Sequence, residues 1–199
     1  MNLEDYHTLF VVGGLVLVLV AAFPGLSLVF SLPEGEERFS ELWILGPGHM
    51  AEDYPFNVEE GGKYSVYVGV GNHMASPSYY NVRVKLRNQI EPLPNATAGT
   101  PSPLPTWYEY SVFVEEGENW EAPLNFSFSE VSFSENHCTV GSLVINGFRF
   151  DVDKSVLWSE ENNGFYYQLF IELWIYQVES DIFEFHNRFV GIWLNMTSV

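Results

Sequence analysis

Ser142–Val152 reads SLVINGFRFDV, and this stretch decides the fold. Asn146-Gly147 sits between two runs in which apolar residues alternate. A two-residue turn of this composition closes a β-hairpin, because a type I′ turn needs positive φ at both central residues. The pairing predicts Leu143, Ile145, Phe148, Phe150 and Val152 on one face, with Asp151 and Asp153 on the other. Two carboxylates at i and i+2 are compatible with calcium, but no further ligand spacing supports it, and surface acids explain them as well.

The same period of two runs outward from the hairpin. In Tyr64–Val70, Tyr64, Val66, Val68 and Val70 share one face. In Asn81–Arg87, Val82, Val84 and Leu86 point inward, while Arg83, Lys85 and Arg87 point outward. That basic face reads either as an acidic-ligand site or as a solvated strand face guarded against edge pairing. Further strands are predicted at Glu41–Leu45, Tyr108–Glu115, Leu124–Ser129, Phe165–Gln177 and Ile182–Asn195. About eight strands and no soluble helix predict an all-β fold, an antiparallel immunoglobulin-like β-sandwich over residues 39–199. Glu91–Pro105 holds five prolines. It is predicted to be a long, exposed loop, since proline cannot serve a central strand.

Leu9–Phe30 is an uncharged run of 22 residues. As a helix it is about 33 Å long, enough to span a bilayer core. A cleaved signal peptide is the rival reading, but Glu4 and Asp5 precede the run where a signal peptide carries positive charge. The sequence thus predicts a short tail (1–8), one transmembrane helix (9–30), a linker (31–38) and the β domain. Basic residues near the span are too few to orient it. Three sequons, at Asn95, Asn125 and Asn195, favour a β domain outside the plasma membrane and a cytoplasmic N-terminus.

Acidic residues outnumber basic ones 26 to 8, for a net charge of −18. Such a surface repels nucleic acid. Cys138 is the only cysteine, which excludes an internal disulfide and a cysteine zinc site. His49 near Glu52 and Asp53 is a candidate metal or acid–base cluster, although turn chemistry accounts for the same residues. His137 and Cys138 point to opposite faces of a strand, which argues against a nucleophilic pair. The sequence carries no nucleotide loop, nucleophile elbow or zinc-protease motif, and no cofactor is predicted.

The aromatic pattern of Phe165–Gln177 is more informative. Phe165, Tyr167, Leu169, Ile171, Leu173 and Ile175 form one apolar face. Tyr166, Phe170, Trp174 and Tyr176 lie on the other, interrupted by Gln168 and Glu172. Near the C-terminus Phe189 and Trp193 alternate with Val190, Ile192 and Leu194. A strand apolar on both faces is covered by its own domain or by a partner. Tyr166, Phe170, Trp174, Tyr176 and Trp193 are therefore the candidate partner or glycan surface.

FSELWILGP (39–47), AEDYP (51–55), VGVGNH (68–73), YNVRVKL (80–86), YYQLFIELWIY (166–176) and FHNRFVGIWLNMT (185–197) together resemble an uncharacterised family of archaeal membrane proteins. That family is known only as a domain of unknown function. The resemblance covers most of 39–197. It implies a membrane-tethered, outward-facing β module and supplies no catalytic residues. Its longer members look multi-spanning, whereas this chain has one candidate span.

Three functions follow as expectations. The first is a non-catalytic accessory or structural subunit of a cell-envelope or membrane complex, with other membrane proteins as partners. The second is a surface carbohydrate-binding module linked to glycan assembly, stacking sugars on Trp107, Trp120, Trp158 or Trp174. The third is a hydrolase using a carboxylate pair.

Overall fold

A computed structural model of the chain describes residues 10–16 and 38–198. Residues 10–16 form a short helix with exposed side chains. The expected tail lies outside the described residues, as do most of the expected 9–30 span and the linker up to residue 37. Among the described residues no helix is long and apolar enough to cross a membrane.

Glu37–Val199 forms its own compact unit, a β-sandwich of ten strands. They are β1 (Phe39–Leu45), β2 (Asn57–Val58), β3 (Tyr64–His73), β4 (Ser78–Asn88), β5 (Tyr108–Val114), β6 (Asn119–Phe133), β7 (His137–Ile145), β8 (Phe148–Leu157), β9 (Phe165–Gln177) and β10 (Ile182–Met196). One sheet has the order β1-β3-β6-β7-β8 and the other β2-β10-β9-β4-β5. Every pairing is antiparallel except that of β2 with β10, which is parallel over Asn57–Val58 and Asn195–Met196.

The alternation read from the sequence builds the core. Val66, Val68 and Val70 of β3 and Leu124, Phe126 and Phe128 of β6 line the first sheet. They meet Val82, Val84 and Leu86 of β4 and Leu169, Ile171 and Leu173 of β9, and most of these side chains have no exposed surface. In β7 a register shift against β8 between Val140 and Ser142 switches the parity of the strand. Val140 and Leu143 therefore both reach the core, which strict alternation forbids. The β7–β8 turn has φ 49° at Asn146 and 87° at Gly147, as a type I′ turn requires. Asn146 also accepts the Asn125 N–H at 2.9 Å and donates to the Tyr110 hydroxyl at 2.8 Å, so one turn residue ties three strands.

The basic face of β4 corrects both sequence readings. β4 lies between β9 and β5, so it is no edge. Lys85 and Arg87 are buried, at 3% and 7% exposure, and so neither offers a solvated face nor waits for an acidic ligand. The segment that covers them is the β4–β5 connection, residues 89–107. Its tip around Asn95 is exposed, but Pro94 and Ser102 are buried.

Candidate functional site

The register of the second sheet sets Arg83 opposite Glu172, Lys85 opposite Phe170, and Arg87 opposite Gln168. These pairs share the outer face, and the β4–β5 connection lies over them as a strap. Lys85 Nζ lies 2.9 Å from Glu172 Oε2 and donates to the Ser102 carbonyl at 2.7 Å. The Ser102 N–H donates to Glu172 Oε1 at 2.7 Å, and Trp174 Nε1 donates to Oε2 at 3.1 Å. Arg87 donates to Gln168 and to the Gln89 and Glu91 carbonyls, each at 2.8 Å. Lys154 reaches across from the other sheet to the Glu91 carboxylate at 2.6 Å. Among the described residues four charged side chains are buried: Lys85, Arg87, Lys154 and Glu172. All four hold this one segment. Burial lowers the Arg87 pKa, against which the nearby Glu91 carboxylate acts.

The cations also fix aromatic rings. Arg83 Cζ lies 3.8 Å from the centroid of Trp174, and Arg87 Cζ lies 5.3 Å from that of Trp193. The expected aromatic surface is thereby divided. Phe170 is fully buried and does not belong to it; glycine at 191 leaves the room, since a Cβ there would meet Phe170 Cβ at 2.8 Å. Trp174 lies beneath Arg83 and is only partly exposed. Tyr176 sits at one end of the sheet with Phe183 and Tyr79, at 5.4 and 6.1 Å between ring centroids. Its hydroxyl donates to the Asp181 carboxylate, which raises its pKa.

Tyr166 and Trp193 lie at the other end, where a cleft of ≈ 570 Å³ opens. Phe56, Gln89, Ser159, Glu161 and Asn162 complete its lining. Phe56 and Trp193 are 49% and 40% exposed, so two ring surfaces face solvent within it. The Phe56 and Tyr166 rings stand 6.0 Å apart, tilted by 44°. The polar rim is tied down: the Tyr166 hydroxyl donates to the Asn162 carbonyl at 2.6 Å, and Asn162 donates through its backbone N–H and its side-chain amide to Ser159 Oγ at 3.2 Å.

A second buried polar cluster joins the sheets, and sequence spacing did not reveal it. Ser40 Oγ lies 2.7 Å from the Tyr80 hydroxyl and 3.0 Å from His186 Nε2, and the Tyr80 hydroxyl donates to Asn72 at 3.0 Å. His186 reaches Ser40 from an irregularity in β10 between Phe185 and Arg188. Burial, with the Arg188 charge, lowers its pKa. Ser40 is 1% exposed, so this serine–histidine contact is shut off from any substrate and serves to lock β1 and β10 together.

The remaining candidates are placed as follows. Asn95 is exposed on the strap; its carbonyl accepts the Thr100 N–H at 3.0 Å and its Oδ1 accepts the Ala98 N–H at 2.9 Å. Asn125 is exposed on β6. Asn195 is partly exposed, with Oδ1 accepting the Phe165 N–H at 3.1 Å and Nδ2 donating to Asn57 at 3.0 Å. Trp107, Trp120 and Trp158 are packed against the core and stand outside the cleft. His49 pairs with Glu121 at 2.5 Å and stacks on Tyr67 rather than gathering Glu52 and Asp53. Among the described residues no three His, Cys, Asp or Glu side chains converge as a metal site. Cys138 is buried, and its thiol is pushed up to about 11 by burial.

Residues 33–136 match the family described as a domain of unknown function, DUF1616. The chain belongs to that family. The matched DUF1616 segment supplies β4, the strap and Phe56, while Glu172, Tyr166 and Trp193 come from the strands after it. No curated protein matches the chain in sequence. Similar solved structures include a β-glucosidase from Listeria innocua in complex with glucose, at 8% identity and TM-score 0.40, over 80% of this chain and 16% of that one. The CARDB domain of a Pyrococcus furiosus protein in complex with di-metal ions is similar at 10% identity and TM-score 0.38, over 80% of this chain and 90% of that one. Likeness at this level carries no functional argument.

Proposed function

We propose that the chain is a non-catalytic, membrane-tethered β-sandwich of immunoglobulin-like character. In this reading it is held outside the plasma membrane, with its N-terminus cytoplasmic, as an accessory or structural subunit of an archaeal envelope or membrane complex. One observation carries the non-catalytic reading. Among the described residues the buried charges, groups an enzyme could turn to chemistry, all hold the strap. The cleft of Phe56, Tyr166 and Trp193 holds a single carboxylate, Glu161, where a carboxylate-pair hydrolase needs two. The exposed aromatic end of the second sheet supports a protein partner. Tyr79 pairs with Phe113 there, and Val178 and Ile182 are exposed nearby.

The test is purification from source membranes in mild detergent, followed by mass spectrometry. A co-purifying membrane protein at fixed stoichiometry is expected. A monodisperse monomer with no enriched partner overturns the subunit reading. Protease added to intact cells stripped of other surface layers is expected to remove the β domain. Survival in intact cells with digestion after lysis overturns the orientation.

A further inference from the structure

The geometry points to the cleft of Phe56, Tyr166 and Trp193 as a saccharide site that takes one or two neutral pyranose rings. A pyranose is amphipathic: its C–H faces stack on aromatic rings and its hydroxyls need hydrogen-bonding partners around the edge. The cleft supplies both, with three aromatic side chains set among Gln89, Ser159, Glu161 and Asn162. Its volume of ≈ 570 Å³ is that of a small-ligand site. Glu161 is the one charged residue of the lining, and the chain as a whole carries −18, so the site disfavours phosphate and acidic sugars. Two of the three rings, Trp193 and Tyr166, and the rim are also pre-organised. Arg87, itself held by Gln168 and the strap, lies against the Trp193 ring, and Tyr166 and Ser159 fix the Asn162 loop. Little ordering remains to oppose binding.

The sugar has two possible sources. One is a free or neighbouring glycan. The other is the domain's own chain at Asn195, whose sequon lies among the same rings. Asn195 is paired directly with Tyr166, stands two residues after Trp193, and donates its backbone N–H to the Phe56 carbonyl at 2.7 Å. A glycosylated amide keeps its carbonyl and one N–H. The Oδ1 contact of Asn195 to the Phe165 N–H is untouched by attachment, and one N–H remains for Asn57 to accept. Only this second source rests on the outward-facing topology proposed above.

The test uses the full chain made in a host without N-glycosylation and held in a detergent that lacks a sugar headgroup. It is titrated with cellobiose, maltose and N,N′-diacetylchitobiose and followed by tryptophan fluorescence. Saturable binding of at least one disaccharide is expected. Trp193→Ala and Phe56→Ala weaken it about ten-fold or more, as loss of a stacking ring does, and Trp120→Phe in the other sheet leaves it unchanged. If Trp193→Ala fails to fold, Asn162→Ala and Glu161→Gln report on the rim, and weakened binding by either supports the site. A folded wild-type protein that binds none of the three at about 10 mM, well above a millimolar Kd, overturns the proposal. So does equal affinity in the folded cleft variants. The same titration on protein from source membranes separates the sources. Loss of binding there, with a glycan on the Asn195 peptide and recovery in Thr197→Val, assigns the cleft to the domain's own chain. Retained binding assigns it to an external glycan.

Discussion

Lys85 Nζ lies 2.9 Å from Glu172 Oε2, with the two side chains 4% and 0% exposed. Taking both charges out of water is costly. The pair persists because Ser102 satisfies each partner, by its carbonyl and its N–H, while Trp174 serves Glu172 as well. Two replacements of Glu172 are not equivalent. Glu172→Ala strands Lys85 with one acceptor and frees the Ser102 and Trp174 donors, and is expected to cost about 3–5 kcal/mol. Glu172→Gln keeps an acceptor for Ser102 and costs less. Urea titration of each variant measures the difference. Equal losses would mean that Glu172 acts by its charge, which both variants remove, rather than by its shape.

The strap is expected to report on this pair. The Ser102 N–H, bonded to buried Glu172, exchanges slowly with solvent in the wild type. In Glu172→Ala and Lys154→Ala it exchanges faster, and trypsin-independent proteases cut within 91–105 before the sheets open. Hydrogen exchange and limited proteolysis read the two effects. Unchanged protection in both variants would show that the prolines alone fix the segment.

His186 gives the domain an acid-sensitive component. Its pKa is lowered in the folded protein, first by burial and then by Arg188. The unfolded chain therefore takes up the proton more readily, and acid favours unfolding. The contribution is complete above the ordinary histidine value near 6.5 and is lost as pH falls below it. Thermal unfolding of the wild type against His186→Gln, scanned from neutral pH into the acid range, isolates this slope. Glu130, whose pKa is lowered by Ser142 and Arg149, adds acid lability of the same sign in the lower carboxylate range. The variant is expected to be flatter just below pH 6.5 and to keep the carboxylate limb.

Cys138 offers a probe of global opening. Its thiol is buried, with a pKa pushed up to about 11, so little thiolate forms at neutral pH. It is expected to resist a thiol reagent in the native protein and to react at the rate of global unfolding. Fast labelling without loss of fold would show that β7 opens locally.

What the sequence disclosed was what local pattern encodes. Asn146-Gly147 needs only its own backbone to make its turn, and Phe165–Gln177 keeps one face apolar from Phe165 to Ile175; both elements stand where they were read. β2 was missed because two residues carry no period, and its parallel pairing with Asn195–Met196 depends on chain far away. The strap was missed for a different reason. Alternation assigns Arg83, Lys85 and Arg87 to water because it considers one strand at a time, and nothing within β4 tells that Ser102 will descend on it. One signal was present: Gln168 and Glu172 interrupt an aromatic face at the spacing that puts them opposite Arg87 and Arg83. Of the candidate surface, Tyr166 and Trp193 were found together in the cleft, whereas Phe56, Ser159 and Asn162 come from connections with no periodicity to read.

The order of the strands has a consequence for how the chain acquires its shape as it is made. β6, β7 and β8 are neighbours in sequence and can pair as soon as they emerge. The centre of the second sheet cannot, because β4 must wait for β9. Arg87 meets Gln168 only across a sequence separation of 81, and Ser102 meets Glu172 across one of 70. Contacts so far apart in sequence form slowly. During that interval the apolar side of β4 has no permanent neighbour on its β9 flank, while the charges of Lys85 and Arg87 still stand in water on its other side. The same cations that end up buried thus keep a waiting strand soluble, a task finished before the native structure exists.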